Sequence, residues 1–430
     1  MLEVGFGQAT ITPPIGTPLG GYENRSFHAI GIHDDLRARC MLFKDTETEM
    51  HVAIIICDLL WVHYAFTDRI KAIIEEITRG VVKKENIIIS AIHTHSSQRI
   101  EGGLDFYYKP VKKKHDPDQG WYVSEALPYL QRVIASSVLG AMHDLHSATI
   151  LHNLGTSDTG FNRRTGDDAA KIVDQDLLAA ACLENGRKLD GPNIRAIFYN
   201  LANHCVGLGG ENYYISADWP YFTAEMLRSE YKLGWQASII FGQGTAGNTN
   251  PYNCIFDEEV REIRDCENIG RQVAADVIKT LREESLSTLV IDGEPCSISV
   301  KHKTIQVEVT DPDKIELFRQ FDLAFLGVTE IDGKFCMEIR ITMITINNMV
   351  IVGVPGELFG EFGVEIKKII RARKQYYQPV VLELTDGSIG YILTRDSYTN
   401  GKGYEASLSG SPETGYKILE AIEELATFLD

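Results

Sequence analysis

The stretch 86–95 reads Asn86-Ile87-Ile88-Ile89-Ser90-Ala91-Ile92-His93-Thr94-His95. It has the pattern of a buried apolar strand that ends in a His-x-His pair, and open α/β sheets place their ligand sites at the carboxyl ends of such strands. Residues i and i+2 of a strand point to the same face, so His93 and His95 can converge on one small site. The pair therefore predicts a metal site at this strand end, against the alternative of two hydrogen-bonded structural histidines.

The composition is typical of a globular protein with an acidic surface. The chain has 430 residues, of which 44% are hydrophobic and 24% are charged, and its formal net charge is −18. This charge disfavours a nucleic-acid partner. No apolar run approaches the ~18–20 residues of a membrane span, so no integral membrane association is expected. The first residues lack a signal-peptide pattern and the eight cysteines lack C-x-x-C spacing, which predicts a cytoplasmic protein.

Short apolar runs alternate with amphipathic stretches along the chain. Strands are predicted at 52–57, 87–92, 148–153, 195–201, 237–241, 291–300, 339–346, 349–354 and 379–384, and helices at 65–79, 122–144, 219–232, 257–283, 312–324, 358–373 and 413–428. The alternation predicts an α/β fold with a mixed β-sheet core flanked by helices. We expect a single catalytic domain over 1–430, in which the strand-rich segment 285–350 forms a subdomain or an antiparallel extension.

Polar residues follow the predicted strands one after another. They are Asp58, the pair His93 and His95, the pair Asn203-His204, the loop Gly242–Pro251, and Glu357. A turn or a cap would account for each of them singly. Because side chains at the strand ends of a rigid scaffold commonly build sites, the series predicts one convergent cleft.

The residue types in this cleft suit metal-assisted hydrolysis. His93, His204 and Glu357 form a His₂Glu set, which is a ligand set of catalytic zinc. Zinc lowers the pKa of a bound water toward ~7 and polarises a carbonyl group. His95 can act as a general acid or base because the ordinary pKa of histidine is about 6.5. Spacing alone does not decide which histidine binds the metal and which transfers protons.

Two further segments carry candidate binding residues. The loop 242–251 reads G-Q-G-T-A-G-N-T-N-P and lacks the Gly-Lys-Ser/Thr of a P-loop, so its glycines indicate tight turns or close backbone approach. Its Asn248 and Asn250 can supply hydrogen bonds to a substrate. The segment 390–405 is rich in tyrosine and glycine. It is either a solvent-facing loop with packing tyrosines or a cover over a metal site.

An ordered series of motifs from about residue 3 to 415 resembles the neutral (non-lysosomal) ceramidase family. The motifs are Gly7–Pro14 with Gly20-Gly21-Tyr22, Asp35–Arg39, Asp58-Leu59-Leu60, His93–Ser96, Phe161-Asn162-Arg163, Asn203–Val206, Ser216-Ala217-Asp218, Ala246–Pro251, Pro355-Gly356-Glu357 and Gly390–Glu405. The resemblance implies a neutral-ceramidase-like catalytic domain and a zinc amidohydrolase. The zinc ligands that it implies are His93, His204, Glu357 and Tyr391. The residues to which it gives roles in catalysis or substrate binding are His95 as acid/base, Arg163, and Tyr404 at the amide carbonyl oxygen.

The departures from the family concern the substrate pocket. Asn248 and Asn250 stand where the family has an aspartate and a serine, and the family's C-terminal immunoglobulin-like domain is not expected here. Because the metal ligands persist while the pocket changes, we predict a zinc-dependent hydrolase of a small, water-soluble amide rather than of long-chain ceramide. The alternatives are a metal-dependent esterase or carbohydrate-derivative hydrolase, and a catalytically inactive ligand-binding homologue.

Overall fold

The computed structural model describes residues 1–22, 25, 28–100, 126–164, 172–184, 186, 188–252, 254, 261–282, 286–320, 327–401 and 403–430. Its strands are β1 (Leu2–Thr10), β2 (Gly31–Ile32), β3 (Arg37–Asp45), β4 (His51–Cys57), β5 (Ile87–Ala91), β6 (His146–Ser147), β7 (Thr149–Thr156), β8 (Gly160–Asn162), β9 (Asp176–Leu183), β10 (Ile194–Leu201), β11 (Tyr214–Ile215), β12 (Ser238–Gln243), β13 (Thr249–Pro251), β14 (Ser287–Val290), β15 (Ile298–Glu308), β16 (Val328–Ile331), β17 (Lys334–Ile346), β18 (Met349–Gly353), β19 (Glu357–Leu358), β20 (Gln378–Leu382) and β21 (Tyr391–Ile392). Its helices are α1 (Tyr64–Ile77), α2 (Leu127–His143), α3 (Trp219–Glu230), α4 (Ile263–Arg282), α5 (Pro312–Gln320), α6 (Gly360–Arg373), α7 (Arg395–Asn400) and α8 (Thr414–Ala426).

The three larger sheets of the described residues have the same arrangement of parallel and antiparallel strands. Their strand orders are β5-β4-β3-β1-β6, β12-β10-β9-β7-β14 and β15-β17-β18-β20, with β16 on β17. In each sheet the other pairings are antiparallel, but one edge strand runs parallel to its neighbour: β5 to β4, β12 to β10, and β20 to β18. Strand β12 contacts both β5 and β20, so the three parallel edges lie together. The predicted α/β class with a mixed sheet and flanking helices is confirmed.

Apolar residues that recur at helical spacing in the sequence form the buried faces of the helices. In α1, Ile70, Ile73 and Ile74 are buried, and His63 caps the helix by accepting a hydrogen bond from the Phe66 backbone N–H. The seven predicted helices all occur, with ends displaced by up to a few residues. The predicted helical positions 122–125, 257–260 and 321–324 lie outside the described residues.

Several strands were missed because their residues do not favour strands locally. β1 contains two glycines and a polar end, β3 begins Arg-Ala-Arg, and β9 contains a run of three alanines that suits a helix equally well. Each gains its strand conformation from pairing: β1 matches β3 residue for residue from Leu2↔Asp45 to Thr10↔Arg37. The pattern of a single strand cannot show such long-range pairing.

The strand-rich stretch 285–350 is divided between two sheets. β14 joins the second sheet by pairing with β7, whereas β15 to β18 build the third sheet. The predicted strand 291–300 is partly wrong, because β15 begins at Ile298, after the turn that contains Gly293. A separate subdomain in this stretch stays a prediction.

Buried apolar strands form the core around which the sheets are assembled. All seven residues of β4 and all five of β5 are buried, as the isoleucine-rich sequence predicts. All eight cysteines are free of disulfide bonds. Among the helices described, none combines the length and the apolar character needed to cross a membrane.

Candidate metal centre

His93 is fixed at the parallel edge of the first sheet in an unusual backbone conformation. It follows β5 with φ of +66°, a left-handed value that is strained for a non-glycine residue and that clusters at functional sites. Its Nδ1 lies 2.7 Å from the Leu60 carbonyl oxygen, in the loop after β4. Because a carbonyl oxygen only accepts, Nδ1 carries a proton, and Nε2 faces the centre of the site.

His204 is held in the same way at the edge of the second sheet. It follows β10, is fully buried, and donates its Nδ1 proton to the Ala246 carbonyl oxygen at 2.7 Å. The indole N–H of Trp219 donates to the His204 carbonyl oxygen at 2.9 Å, which fixes the backbone. Burial, and the nearby Arg163 charge, lower the pKa of His204 to about 4, so its Nε2 is unprotonated at neutral pH.

Glu357 lies on β19, shortly after β18 of the third sheet, and completes the group. Its Oε2 lies 3.2 Å from His93 Nε2 and 3.5 Å from His204 Nε2, while the two Nε2 atoms are 3.0 Å apart. Burial by itself raises the pKa of Glu357, but the adjacent His93 and His204 more than offset this effect and hold it well below the ordinary range. The carboxylate is therefore ionised where both imidazoles can bind a cation.

His95 brings a third imidazole to the cluster. Its Nε2 lies 3.3 Å from His93 Nε2, so His93, His95 and His204 together form a group that can hold a metal ion. Its ring packs edge-on against Tyr22, with 4.9 Å between ring centroids. Gly21, at φ of +95°, lies so close that a Cβ there would be 2.4 Å from the His95 ring, which explains the need for glycine.

The His95 ring differs from the other two in its second nitrogen. Its buried Nδ1 has no hydrogen-bond partner within the described part of the chain, so no carbonyl fixes its tautomer. Burial, together with the neighbouring His93 and His204, lowers the pKa of His95 well below its ordinary value. The three histidines thus divide into two with anchored Nδ1 protons and one without.

Arg163 lies beside the cluster in a cage of acceptors and aromatic rings. Its guanidinium donates to Asn250 Oδ1 at 2.9 Å, to the Gly247 carbonyl oxygen at 2.8 Å and to the Tyr391 hydroxyl at 3.4 Å. It also pairs with the buried Glu405 at 3.0 Å. The arrangement fixes the guanidinium and leaves it little freedom to move.

Two tyrosines connect this cage with Glu357. Tyr391 pairs directly with Glu357 in the parallel ladder of β19 and β21, and the two tyrosine hydroxyls of Tyr391 and Tyr404 are 3.3 Å apart. Burial, and the Glu357 charge, raise the pKa of Tyr391 well above its ordinary value. Tyr404 is half exposed, so its ring borders solvent at the edge of the site. The predicted site segments thus meet in one place.

The chain is similar to known proteins both in sequence and in fold. Residues 2–170 match the family described as neutral/alkaline non-lysosomal ceramidase, N-terminal. The neutral ceramidase from Pseudomonas aeruginosa matches with a TM-score of 0.74 and 16% sequence identity, covering 100% of this chain and 74% of that one. A ceramidase complexed with C2 matches with a TM-score of 0.75 and 15% identity, covering 100% of this chain and 75% of that one.

The resemblance to the neutral/alkaline ceramidase family is confirmed. At these low identities the structural matches show the ceramidase fold alone, while the family match covers His93, His95 and Arg163 within 2–170. No curated protein sequence matches the chain. His204 and Glu357 lie beyond residue 170, outside the family match. The fold places both of them beside His93.

The two asparagines of the ceramidase-like pocket have structural contacts. Asn248 Oδ1 accepts the Gly360 backbone N–H at 2.9 Å and its amide donates to Glu361 at 3.0 Å, so it caps the start of α6. Asn250 Oδ1 accepts from Arg163, and its amide donates to the Cys254 carbonyl oxygen at 3.0 Å. Their predicted role in substrate binding stays a prediction, and the contacts of Asn248 favour a structural role.

Asp58, the first polar residue of the predicted cleft, also has a structural role. Both of its carboxylate oxygens accept from Arg39, at 2.7 and 2.9 Å, and one accepts the Arg37 backbone N–H at 2.8 Å. These contacts tie the end of β4 to β3. For Asp58 the alternative of a turn or capping role is therefore favoured over a role in the cleft.

Sequence reasoning missed two buried glutamates. Glu405 neutralises Arg163 and Arg164, and Glu383 accepts backbone hydrogen bonds from Ala246 and Leu358. The signal for Glu405 was its position directly after Tyr404 in the tyrosine-rich segment. For Glu383 the signal was a charged residue directly after the apolar run of β20, the same signal that identified Glu357.

The donor set fits a tetrahedral metal such as zinc. Tetrahedral ligands at about 2.0–2.1 Å from zinc lie ~3.3 Å from one another, and the distances among His93, His204 and Glu357 are 3.0, 3.2 and 3.5 Å. The buried Glu357 Oε2 has no hydrogen-bond donor among the described residues. Lone pairs that face one another without a proton repel, so a cation bound between them would stabilise this arrangement.

Proposed function

We propose that the protein is a zinc-dependent hydrolase that cleaves the C–N bond of an amide. The observation that carries the proposal is the convergence of His93 Nε2, His204 Nε2 and Glu357 Oε2, within 3.0 to 3.5 Å of one another. They follow β5, β10 and β18, each of which belongs to the parallel pair of a different sheet. Three protein ligands with a further open position are typical of catalytic rather than structural zinc.

His93 and His204 are assigned as ligands rather than His95 by their second nitrogens. Histidines that bind metals almost always donate their other ring N–H to a carbonyl or carboxylate, which fixes the tautomer. His93 donates to Leu60 and His204 to Ala246. Tyr391, next to Glu357 in the ladder, would be an additional ligand beside the position left for water, as in five-coordinate zinc. Zinc held by these residues would supply Lewis-acid polarisation of the carbonyl group and a water-derived nucleophile near neutral pH.

The remaining side chains would orient the substrate and move protons. His95 would accept a proton from the attacking water and pass it to the leaving amine, because its ring is adjacent to the ligands and its Nδ1 is not bound to a carbonyl of the described residues. The Tyr404 hydroxyl, beside that of Tyr391, would donate to the developing oxyanion. Arg163 would keep both tyrosines in place through its contact with Tyr391 and its position near the Tyr404 ring.

Replacement of His95 by glutamine separates proton transfer from metal binding. We expect His95→Gln to keep the zinc content of the wild-type protein and to lower kcat/KM by about 10²- to 10⁴-fold, the usual contribution of general acid-base catalysis. Zinc content by elemental analysis and steady-state kinetics on the same preparation measure both quantities. Loss of zinc from this variant would contradict the assignment and make His95 a third histidine ligand.

The substrate that we propose is a small, water-soluble amide such as an acylated amino sugar. The net charge of −18 opposes binding to anionic lipid surfaces. Asn250 is larger than the serine of the family and holds Arg163 through its Oδ1. It therefore narrows the pocket with a fixed polar group. The cytoplasm stays the proposed location, which the eight free cysteines support, and nucleic acid is not a proposed partner.

A substrate panel tests this specificity. With zinc present, we expect kcat/KM for soluble N-acyl compounds to exceed that for detergent-dispersed long-chain ceramide, because the pocket is narrow and polar. Asn250→Ser should shift the ratio toward ceramide by releasing space beside Arg163. Ceramide turnover above that of every soluble amide would contradict the proposal. Faster turnover of matched esters would favour an esterase, and zinc binding without any turnover would favour a ligand-binding homologue.

A further inference from the structure

Glu383 contacts three segments beside the proposed metal site, which are the loop after β12, β19 and β5. It follows β20 and is completely buried. Its Oε2 accepts the Ala246 backbone N–H at 3.2 Å and the Leu358 backbone N–H at 3.0 Å. Its own carbonyl oxygen accepts the hydroxyl of Ser90, on β5, at 2.9 Å.

Each of these contacts leads directly to a ligand. The carbonyl oxygen of Ala246 accepts the Nδ1 proton of His204 at 2.7 Å. Leu358 follows Glu357 in the chain, and its carbonyl oxygen accepts the Gly247 N–H at 2.8 Å, which joins the same two segments a second time. Ser90 lies on the strand that ends at His93. Glu383 thus contacts the Glu357 segment through its carboxyl group and the His93 segment through its backbone carbonyl oxygen, and it reaches His204 through Ala246.

A buried carboxyl group is costly unless its oxygens are hydrogen-bonded, and Glu383 Oε1 has no partner in the described part of the chain. An apolar residue would fill the same space without that cost. Two backbone N–H groups, however, would then lose their acceptor in the interior. The side chain is therefore suited to one task, which is to fix the loop after β12 against β19.

We propose that Glu383 is a positioning residue that sets the spacing of His204 and Glu357, and hence the affinity and geometry of the metal site. The inference rests on the proposed metal site. Replacing a residue that orients metal ligands without binding the metal itself typically lowers metal affinity by about 10- to 100-fold. The contact acts through backbone N–H groups, so any side chain with an acceptor at the same reach should suffice.

The test compares Glu383→Gln, Glu383→Asp and Glu383→Leu in the full-length chain. Zinc affinity is measured by competition with a chromophoric chelator, and the coordination geometry by the visible spectrum of the Co²⁺-loaded protein. Glu383→Gln should bind zinc within a factor of about three of wild type, since its amide oxygen accepts both N–H bonds. Glu383→Leu should weaken binding by about 10- to 100-fold and alter the cobalt spectrum. Glu383→Asp, one methylene shorter, should lie between them and keeps the test valid if the leucine variant does not fold.

Ile422→Ala provides the matched control for a general loss of stability. Ile422 is completely buried on α8, which packs mainly against α6, β15 and β17, so this variant should lower Tm and leave zinc affinity and the cobalt spectrum unchanged. Wild-type affinity and spectrum in Glu383→Leu and Glu383→Asp would overturn the inference alone, as would a glutamine variant as weak as the leucine variant. Failure of the wild-type protein to bind zinc would overturn the proposed function and this inference with it.

Discussion

His204→Ala is expected to lose bound zinc and all measurable hydrolysis. The ring is fully buried, and its Nε2 lies 3.0 Å from His93 Nε2 and 3.5 Å from Glu357 Oε2. Its removal leaves a proposed three-ligand site with two strong ligands. We expect zinc affinity to fall by more than the roughly 10- to 100-fold that outer-shell changes cost. Elemental analysis after dialysis, together with kcat/KM, measures the effect.

His152→Ala is the matched control for this experiment. His152 is as buried as His204 but lies on β7, and neither of its ring nitrogens has a hydrogen-bond partner among the described residues. This variant creates a comparable cavity and should keep its zinc. Full zinc occupancy in His204→Ala would show that His204 is not a ligand.

Lys367→Met is expected to destabilise the fold by about 3–5 kcal/mol, because it removes one partner of a buried ion pair. Lys367 is 4% exposed on α6, and its Nζ lies 2.7 Å from Asp174 and 3.5 Å from Asp176. Asp174, itself 3% exposed, would keep an uncompensated charge in the interior. The free energy of unfolding, from urea denaturation of each variant, measures this loss.

Two further variants test whether loss of the buried ion pair is the cause of the destabilisation by Lys367→Met. Lys368→Met changes the next residue, whose pair with Glu365 is solvent-exposed, and should alter the free energy of unfolding by less than ~1 kcal/mol. Asp174→Asn combined with Lys367→Met should recover part of the loss, since it removes the unpaired charge. Equal effects of Lys367→Met and Lys368→Met would contradict a buried ion pair as the cause.

The ion pair of Lys367 and Asp174 also contacts the loop after β12, which borders the candidate metal centre. Asp174 accepts a hydrogen bond from the Thr245 hydroxyl at 3.3 Å, and a Cβ at Gly363 of α6 would lie 2.0 Å from the same hydroxyl oxygen. The loop after β12 is therefore packed tightly against α6. Asn248, from the same loop, caps the start of that helix. The loop that carries the Ala246 carbonyl is thus held by buried contacts on both sides.

The sequence predicted the parts of the fold that depend on local pattern. Isoleucines spaced for one helix face produced α1, and the unbroken apolar runs produced β4 and β5. β1 and β9 were not predicted, because a strand rich in glycine or alanine is defined by its partner and not by its own residues. The division of strands among three sheets likewise depends on long-range pairing.

The sequence predicted those site residues that come shortly after an apolar strand in the chain. His93, His204 and Glu357 each follow a strand of the parallel pair in a different sheet, so their convergence is a consequence of where those pairs meet. The capping role of Asn248 depends on α6, more than a hundred residues further along the chain, and no local pattern indicates it. The same holds for the pairing of Arg163 with Glu405.

Anomalous diffraction from zinc-loaded crystals, recorded on both sides of the zinc absorption edge, tests the central claim most directly. We predict one zinc peak per chain, about 2.0–2.2 Å from His93 Nε2, His204 Nε2 and a Glu357 carboxylate oxygen. A map without an anomalous peak at this position, or with zinc bound only by other side chains, would contradict the account.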